Sequence, residues 1–473
     1  MAAGDHGYGF APPRRRRRKA AMTEATTQAA GDPAIKRLRF GWYSYGWAAQ
    51  VFETTVLAVF MSRYLPAVAT HAVGETGRLH VLGIPIAPGS LFTYTISLGS
   101  ILLIVLMPIV GAFADRTGRK RQMLFAFAYV GALSCALMVF VGLNDWVLGS
   151  VLFMVAFLTY KCARVVYNSL LPDLAGSDER DAVSSVGWAA GYLGGGTLLA
   201  LNFVASFLIS DSAVLARISL CSAGIWWAAF MIIPAVILRH IPMHSDTHAP
   251  AAGSAFTAGF KELGDTLKHL RLYPWTLLFL LAYLVYYDGI ATTTTLAADY
   301  GQNELKLGET TLLSAILLVQ FASFGGVLLL GKLSERWGAK VVVSWSLVVW
   351  SVLITLAYFL QAGQPVQFYL LAIGISLVLG GSQALSRSMF ASMIPNGKEA
   401  EYFSLFEISS SGTSALGPLV FGLVLQNTGS YRSAIFSLIA FFVLGLILLL
   451  LVNVRKAITA AGNPLPATLN RER

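Results

Sequence analysis

The chain has 473 residues, of which 56% are hydrophobic and only 12% charged, with a net charge of +10. A soluble protein of this size needs a polar coat. Here apolar runs of more than 18 residues recur along most of the length, each enough to cross a hydrocarbon layer about 30 Å thick. Runs that are apolar on every face are lipid-facing helices, so a soluble fold is excluded.

Taken in order, residues 1–39 are a basic, Ala/Gly/Pro-rich stretch with an arginine run at 14–18 followed by Lys19. They read as a disordered cytoplasmic tail; an organelle transit peptide is the lesser alternative. Apolar spans are expected over 42–66, 90–114, 122–142, 146–170, 184–210 and 218–239. A polar cytoplasmic loop, 240–272, ends in an amphipathic piece at 260–272. Six more spans are expected over 273–298, 309–333, 340–361, 367–391, 403–425 and 431–453. The chain therefore divides into a six-helix half at 40–239, the central loop, a second half at 273–455 and a short tail at 456–473. The fold class is all-α integral membrane, with about twelve helices in two pseudo-symmetric halves.

Charge distribution supports this layout. With both termini inside, inner segments hold 26 Lys/Arg and outer loops hold four: Arg78, Arg217, Lys306 and Arg432. That bias is the positive-inside pattern, and it accounts for the net charge without nucleic acid. Cys135, Cys162 and Cys221 lie in apolar runs, and the seven histidines fall in termini and loops. No catalytic triad or metal-ligand spacing is visible, so no enzyme, metal or cofactor is expected.

The halves share a repeat. GAFADRTGRK at 111–120 returns as GKLSERWGAK at 331–340. Gly111, Asp115, Arg116, Gly118 and Lys120 match Gly331, Glu335, Arg336, Gly338 and Lys340; Arg119 becomes Ala339. ARVVYNSLLP at 163–172 likewise returns as SRSMFASMIP at 386–395, with Arg164 matching Arg387. Parallel halves of six spans form a transporter architecture, with the site between the halves near the midplane.

Charges inside spans are costly, by about 2.5–3.5 kcal/mol each at mid-bilayer, and usually face a cavity or a partner. Glu53 lies in span one, Asp288 in span seven, Lys161 and Arg164 in span four, and Arg387 in span ten. Span one adds Tyr45, Trp47, Gln50 and Thr54; span seven adds Tyr283, Tyr287 and Thr292; Gln383 of span ten joins them. These residues are the candidate cavity lining. Glu53 is either a proton carrier or an acid neutralised by Lys161 or another cation. Asp288, before Gly289, either serves the cavity or distorts its helix. Arg164 and Arg387 either bind an anionic group or pair with Asp115, Glu335 or Glu407 to latch a cytoplasmic gate. The glycines at 191–196 lack a following GK[ST] and read as close helix packing.

GAFADRTGRK fits the loop signature G-x-x-x-D-R-x-G-R-K of the major facilitator superfamily. YNSLLPDL (167–174), GWAAGYLGG (187–195), YYDG (286–289), GGSQALSRSMFASMIP (380–395) and EYFSLFEISSSGTSALGPLVFG (401–422) more narrowly resemble the autophagy-related vacuolar amino-acid effluxers and their bacterial relatives. The resemblance implies secondary transport by alternating access, with amino acids as the candidate substrates. By analogy Asp115 would cap span eleven and Glu335 would cap span five. The latches would be Asp115 with Arg164 and Glu335 with Arg387, the first the stronger. One departure stands in span one, YGWAAQVFETT: the family's acid is Gly46, its amide Ala49 and its small residue Glu53.

The expected function is secondary active transport of a small polar solute by a monomer in the lipid bilayer, with protons as a candidate coupling ion. A bacterial inner membrane is expected, an organelle membrane being the alternative. The competing reading is a lipid-handling or scramblase-like protein using Trp226, Trp227, Trp345 and Trp350.

Overall fold

The computed structural model describes residues 32–239, 271–411 and 416–470, apart from positions 75 and 82. Ten helices in it are long and apolar enough to cross a membrane. They are span one (Pro33–Val73), two (Pro88–Thr117), three (Lys120–Phe140), four (Trp146–Leu174) and six (Ser212–Leu238). In the second half they are seven (Pro274–Asn303), eight (Glu309–Trp337), nine (Ala339–Tyr358), ten (Pro365–Ser392) and twelve (Tyr431–Leu451). Arg180–Ala205 takes the place of span five, and Glu399–Ser411 with Leu416–Thr428 that of span eleven. Most of the expected central loop, including residues 260–270 of its amphipathic piece, lies outside the described residues.

Local chemistry sets the helix ends. Pro33, Pro274 and Pro365 open spans one, seven and ten, where a missing N–H costs nothing. Asp32 and Asp211 accept hydrogen bonds from the first backbone N–H groups of spans one and six. Gly118 closes span two in the left-handed conformation at φ +63°.

Span one differs from expectation. It is longer than 42–66, and its middle, Phe52–Phe60, is π-helical, with the Met61 N–H bonded to the Val56 carbonyl. No proline or glycine marks this segment, so nothing local announced it. A short hairpin, Leu79–Val81 paired with Ile84–Ile86, follows where only a loop was expected.

Packing separates lipid-facing from buried residues. Ile101, Leu133, Trp345 and Leu370 stand exposed on the outside, while Trp42, Trp227 and Trp350 are fully buried. Trp227 and Trp350 are thus core residues, which removes two of the four tryptophans behind the lipid-handling reading. Span five lies tight on span one: a Cβ at Gly194 would stand 2.3 Å from the Trp47 carbonyl oxygen. The halves meet through spans two with eleven, five with eight and ten, and four with eleven.

Candidate functional site

Five of the intramembrane charges named from sequence converge. Arg164 donates to Glu53 (2.7 Å), and Lys161 lies 3.4 Å from the same carboxylate oxygen. Gln50 donates to the other Glu53 oxygen at 3.1 Å. Arg164 also lies 3.6 Å from Glu407, which is fully buried and comes from span eleven. Asn168 donates to Glu407 (2.7 Å) and accepts from Arg387 (3.1 Å). Arg387 donates further to the Ser184 hydroxyl (3.0 Å) and carbonyl (2.8 Å). The network runs Glu53, Arg164, Glu407, Asn168, Arg387, Ser184, and crosses between the halves four times. Removing one partner of a buried ion pair costs about 3–5 kcal/mol, because the other charge is stranded.

This network borders a cavity whose wall includes Tyr45, Gln50, Arg164, Tyr167, Trp188 and Arg387. Trp42, Tyr167 and Tyr45 form a continuous stack, with centroids 4.4 and 4.5 Å apart. The Arg387 guanidinium lies over Trp42 at 4.9 Å, and both arginines face Trp188, at 5.4 and 5.6 Å. At Gly46 span one presses on span five: a Cβ there would meet the Gly187 carbonyl oxygen at 2.7 Å.

The other candidates divide. Thr54 bonds the Gln50 carbonyl at 3.3 Å, beside the network. Trp47 instead stacks on Trp226 within the first half (5.5 Å). Tyr283 stacks on Phe406 at 4.1 Å, with Tyr287 5.2 Å from Tyr283. Asp288 is not in the charge network. Its carboxylate accepts the Gly417 N–H at 2.7 Å, at the start of Leu416–Thr428, and Thr292 packs on the same glycine. Gln383 is half-buried in span ten, and no hydrogen bond joins it to the network.

The loop residues behave differently from the expected latches. Asp115 accepts the Glu401 N–H at 2.8 Å, at the N-terminus of span eleven. Lys120 sits between Asp115 (2.8 Å) and Glu399 (2.9 Å), all three nearly buried. Gly111 permits this approach, since a Cβ would lie 2.5 Å from the Ala400 carbonyl oxygen. Asp115 therefore does not pair with Arg164. The latter's partner in span eleven is Glu407, six residues or about 9 Å deeper than Glu401.

Glu335 is exposed and, among the described residues, neither caps span five nor meets Arg387. Asp181, at the start of span five, is instead bonded by Ser388 at 2.5 Å. Lys340 does not mirror Lys120 either. It donates to the Leu450 and Val452 carbonyls at the end of span twelve, as Arg121 donates to Leu238 and Arg239 at the end of span six. The first loop is one residue longer, so Lys120 corresponds in space to Ala339. Arg116, Arg119 and Arg336 are exposed at the helix ends beside Gly118 and Gly338, both of which have positive φ.

Asn168, Ser184, Trp42, Tyr167 and Trp188 were missed as site residues. Asn168 and Tyr167 stood inside the quoted YNSLLPDL stretch, and Trp188 inside GWAAGYLGG. A polar side chain one helical turn beyond Arg164 was the available signal for Asn168.

Two sets of likenesses bear on this site. A family model described as Vacuole effluxer Atg22 like matches residues 34–462. The chain belongs to this family. The uncharacterized MFS-type transporter YxiO of Bacillus subtilis (strain 168) is 30% identical over 416 residues, covering 86% of this chain and 93% of that protein. Autophagy-related protein 22 of Kluyveromyces lactis is 29% identical over 386 residues, covering 76% and 78%.

Solved structures share the fold of this Atg22-like chain. A bacterial homologue of the iron transporter ferroportin, in an outward-facing state, has a TM-score of 0.62 at 15% identity, covering 88% of this chain and 98% of that one. The E. coli fucose:proton symporter FucP has a TM-score of 0.63 at 14% identity, covering 89% and 98%. The Atg22-like chain thus has the twelve-helix major facilitator fold and is a multi-pass secondary transporter of that superfamily.

Proposed function

We propose that the chain carries a small polar solute, an amino acid or related metabolite by its family, by alternating access through the cavity beside Arg164, with proton coupling through Glu53 or Asp288. We further place both termini in the cytoplasm, in a bacterial inner membrane, with the monomer as the working unit. One observation carries the reading: Arg164 is shared between Glu53 of its own half and Glu407 of the other. A solute that takes hydrogen bonds from Arg164 competes with Glu407 and so weakens a contact between the halves. Protonating Glu53 releases Arg164 from the carboxylate of its own half, leaving it to Glu407 or to an incoming solute. Binding is thereby linked to separation, as a ligand must be to shift a two-state equilibrium.

Other contacts favour the same state. Lys120–Glu399, Arg180–Ser392, Asp181–Ser388 and Ser184–Ala384 all join the halves towards the loop face. On the far face the described ion pair between halves is the exposed Arg63–Glu309. This is the arrangement of a transporter closed at its loop face, ready to open by rocking of one half on the other.

The test is pH-driven uptake of labelled amino acids into proteoliposomes. Glu53→Gln should abolish the proton-driven component while the purified protein stays folded. Full proton-driven uptake by that variant removes Glu53 from the mechanism. Translocation of lipid headgroups without a gradient, and of no polar solute, would overturn the whole reading.

A further inference from the structure

One cation in the cavity wall has no carboxylate of its own. Arg387 is 4% exposed, and its three hydrogen bonds go to the neutral acceptors Asn168 Oδ1, Ser184 Oγ and the Ser184 carbonyl. A guanidinium has five N–H donors, so donors remain beyond these three bonds, and the neutral Tyr167 hydroxyl lies within their reach. Around it, Lys161 and Arg164 are matched by Glu53 and Glu407. The five charges sum to +1, and the excess belongs to Arg387. Its aromatic neighbours supply ring faces, not counter-charge.

The neutral groups of the same wall point the same way. The hydroxyl of Tyr45 and the indole N–H of Trp188 are buried and without a hydrogen-bond partner among the described residues, and the Tyr167 hydroxyl beside Arg387 has no acceptor there for its proton. All three residues line the cavity with Arg387. An indole N–H and a guanidinium can only donate, and a buried unpaired donor is costly. This wall therefore holds donors in excess of acceptors and positive charge in excess of negative. An incoming ammonium would find Glu53 and Glu407 already engaged.

We propose that the transported solute is a carboxylate-bearing anion with net negative charge. Its carboxylate docks on the Arg387 guanidinium where Asn168 and Ser184 leave it free, with the Tyr45 and Tyr167 hydroxyls donating to the same oxygens. This rests on the transporter reading above and narrows it, because a neutral zwitterion would leave the charge excess uncorrected.

The experiment uses the full chain in proteoliposomes at fixed pH and ionic strength. Thermal stabilisation and counterflow are measured with L-glutamate, succinate, L-leucine and L-lysine. Glutamate and succinate should stabilise and exchange; leucine and lysine should do neither. Tyr45→Phe and Tyr167→Phe keep the ring stack and should each weaken acid binding roughly tenfold. Arg387→Lys, which keeps the charge but loses the fork, should weaken it further. Leucine binding as tightly as glutamate would overturn the proposal, as would unchanged affinity in both phenylalanine variants; in either case the transporter reading survives. If no polar solute exchanges while lipid headgroups flip, the transporter reading falls and takes this one with it.

Discussion

The two repeat loops descend from one sequence pattern but hold the halves together in different ways. In the first, Lys120 is buried between Asp115 and Glu399, and Asp115 caps span eleven. In the second, the Lys120 position in space is Ala339, Glu335 is exposed, and Lys340 ties span nine to span twelve within its own half. A shared motif therefore guarantees a glycine with positive φ at the helix end, not the same turn or the same contact. The ion-paired inter-half latch belongs to the first loop, and the contact it makes depends on one extra residue; among the described residues the second loop meets span five only through neutral groups, Gly331 and Ser334.

The comparison can be broken most directly at Lys120. Lys120→Met leaves two nearly buried carboxylates unpaired and should destabilise the closed loop face by about 3–5 kcal/mol. Amide exchange in Glu399–Ser411 should then quicken and the thermal midpoint fall. Unchanged exchange there would remove the triad from the latch. Gly111→Ala comes next, at about 1–3 kcal/mol, because its methyl meets backbone at Ala400. Gly331→Ala meets the Ser185 side chain instead, so adding Ser185→Gly should restore its thermal midpoint, and failure of that rescue would place the strain elsewhere.

Lys340→Met and Arg121→Met should each cost about 1 kcal/mol by losing bonds to helix-end carbonyls. Matching drops in thermal midpoint would support their pairing; a Lys340 variant as damaged as the Lys120 variant would refute it. Smallest of all, Glu335→Gln should stay within about 0.5 kcal/mol of the parent, with transport nearly unchanged, whereas Asp115→Asn should slow transport. Equal impairment by the two substitutions would abolish the asymmetry.

Much of the architecture was legible in the sequence because its signals are one-dimensional. Apolar length and the 220-residue repeat need no knowledge of contacts, and they yielded the spans and the two halves. Lys161 as a partner of Glu53 is likewise legible, two charges in the spans of one half. The rest depends on depth and rotation between helices far apart in sequence. Arg164 and Glu407 lie 243 positions apart, and only the crossing of spans four and eleven brings them together. Matching loop acids to span arginines by repeat symmetry put both latches at the wrong depth. Aligning Lys120 with Lys340 by letter hid the one-residue difference in loop length. Asp288 reads from sequence as a cavity group or a helix distorter, whereas its carboxylate meets the neighbouring helix end at Gly417.

Span one carries a further consequence. Its π-helical segment closes each turn over five residues instead of four, so the helix stores spare length next to Glu53. Releasing one residue of that slack into α geometry turns everything beyond it by about 100° and advances it by about 1.5 Å, without unwinding the chain. The part beyond is Met61–Val73, which carries Arg63 and its hold on Glu309. Ten residues separate Glu53 from Arg63, a stretch that would span about 15 Å if wholly α-helical. A change in what Glu53 grips can thus be delivered as torque at the opposite face, through the same helix that lines the cavity.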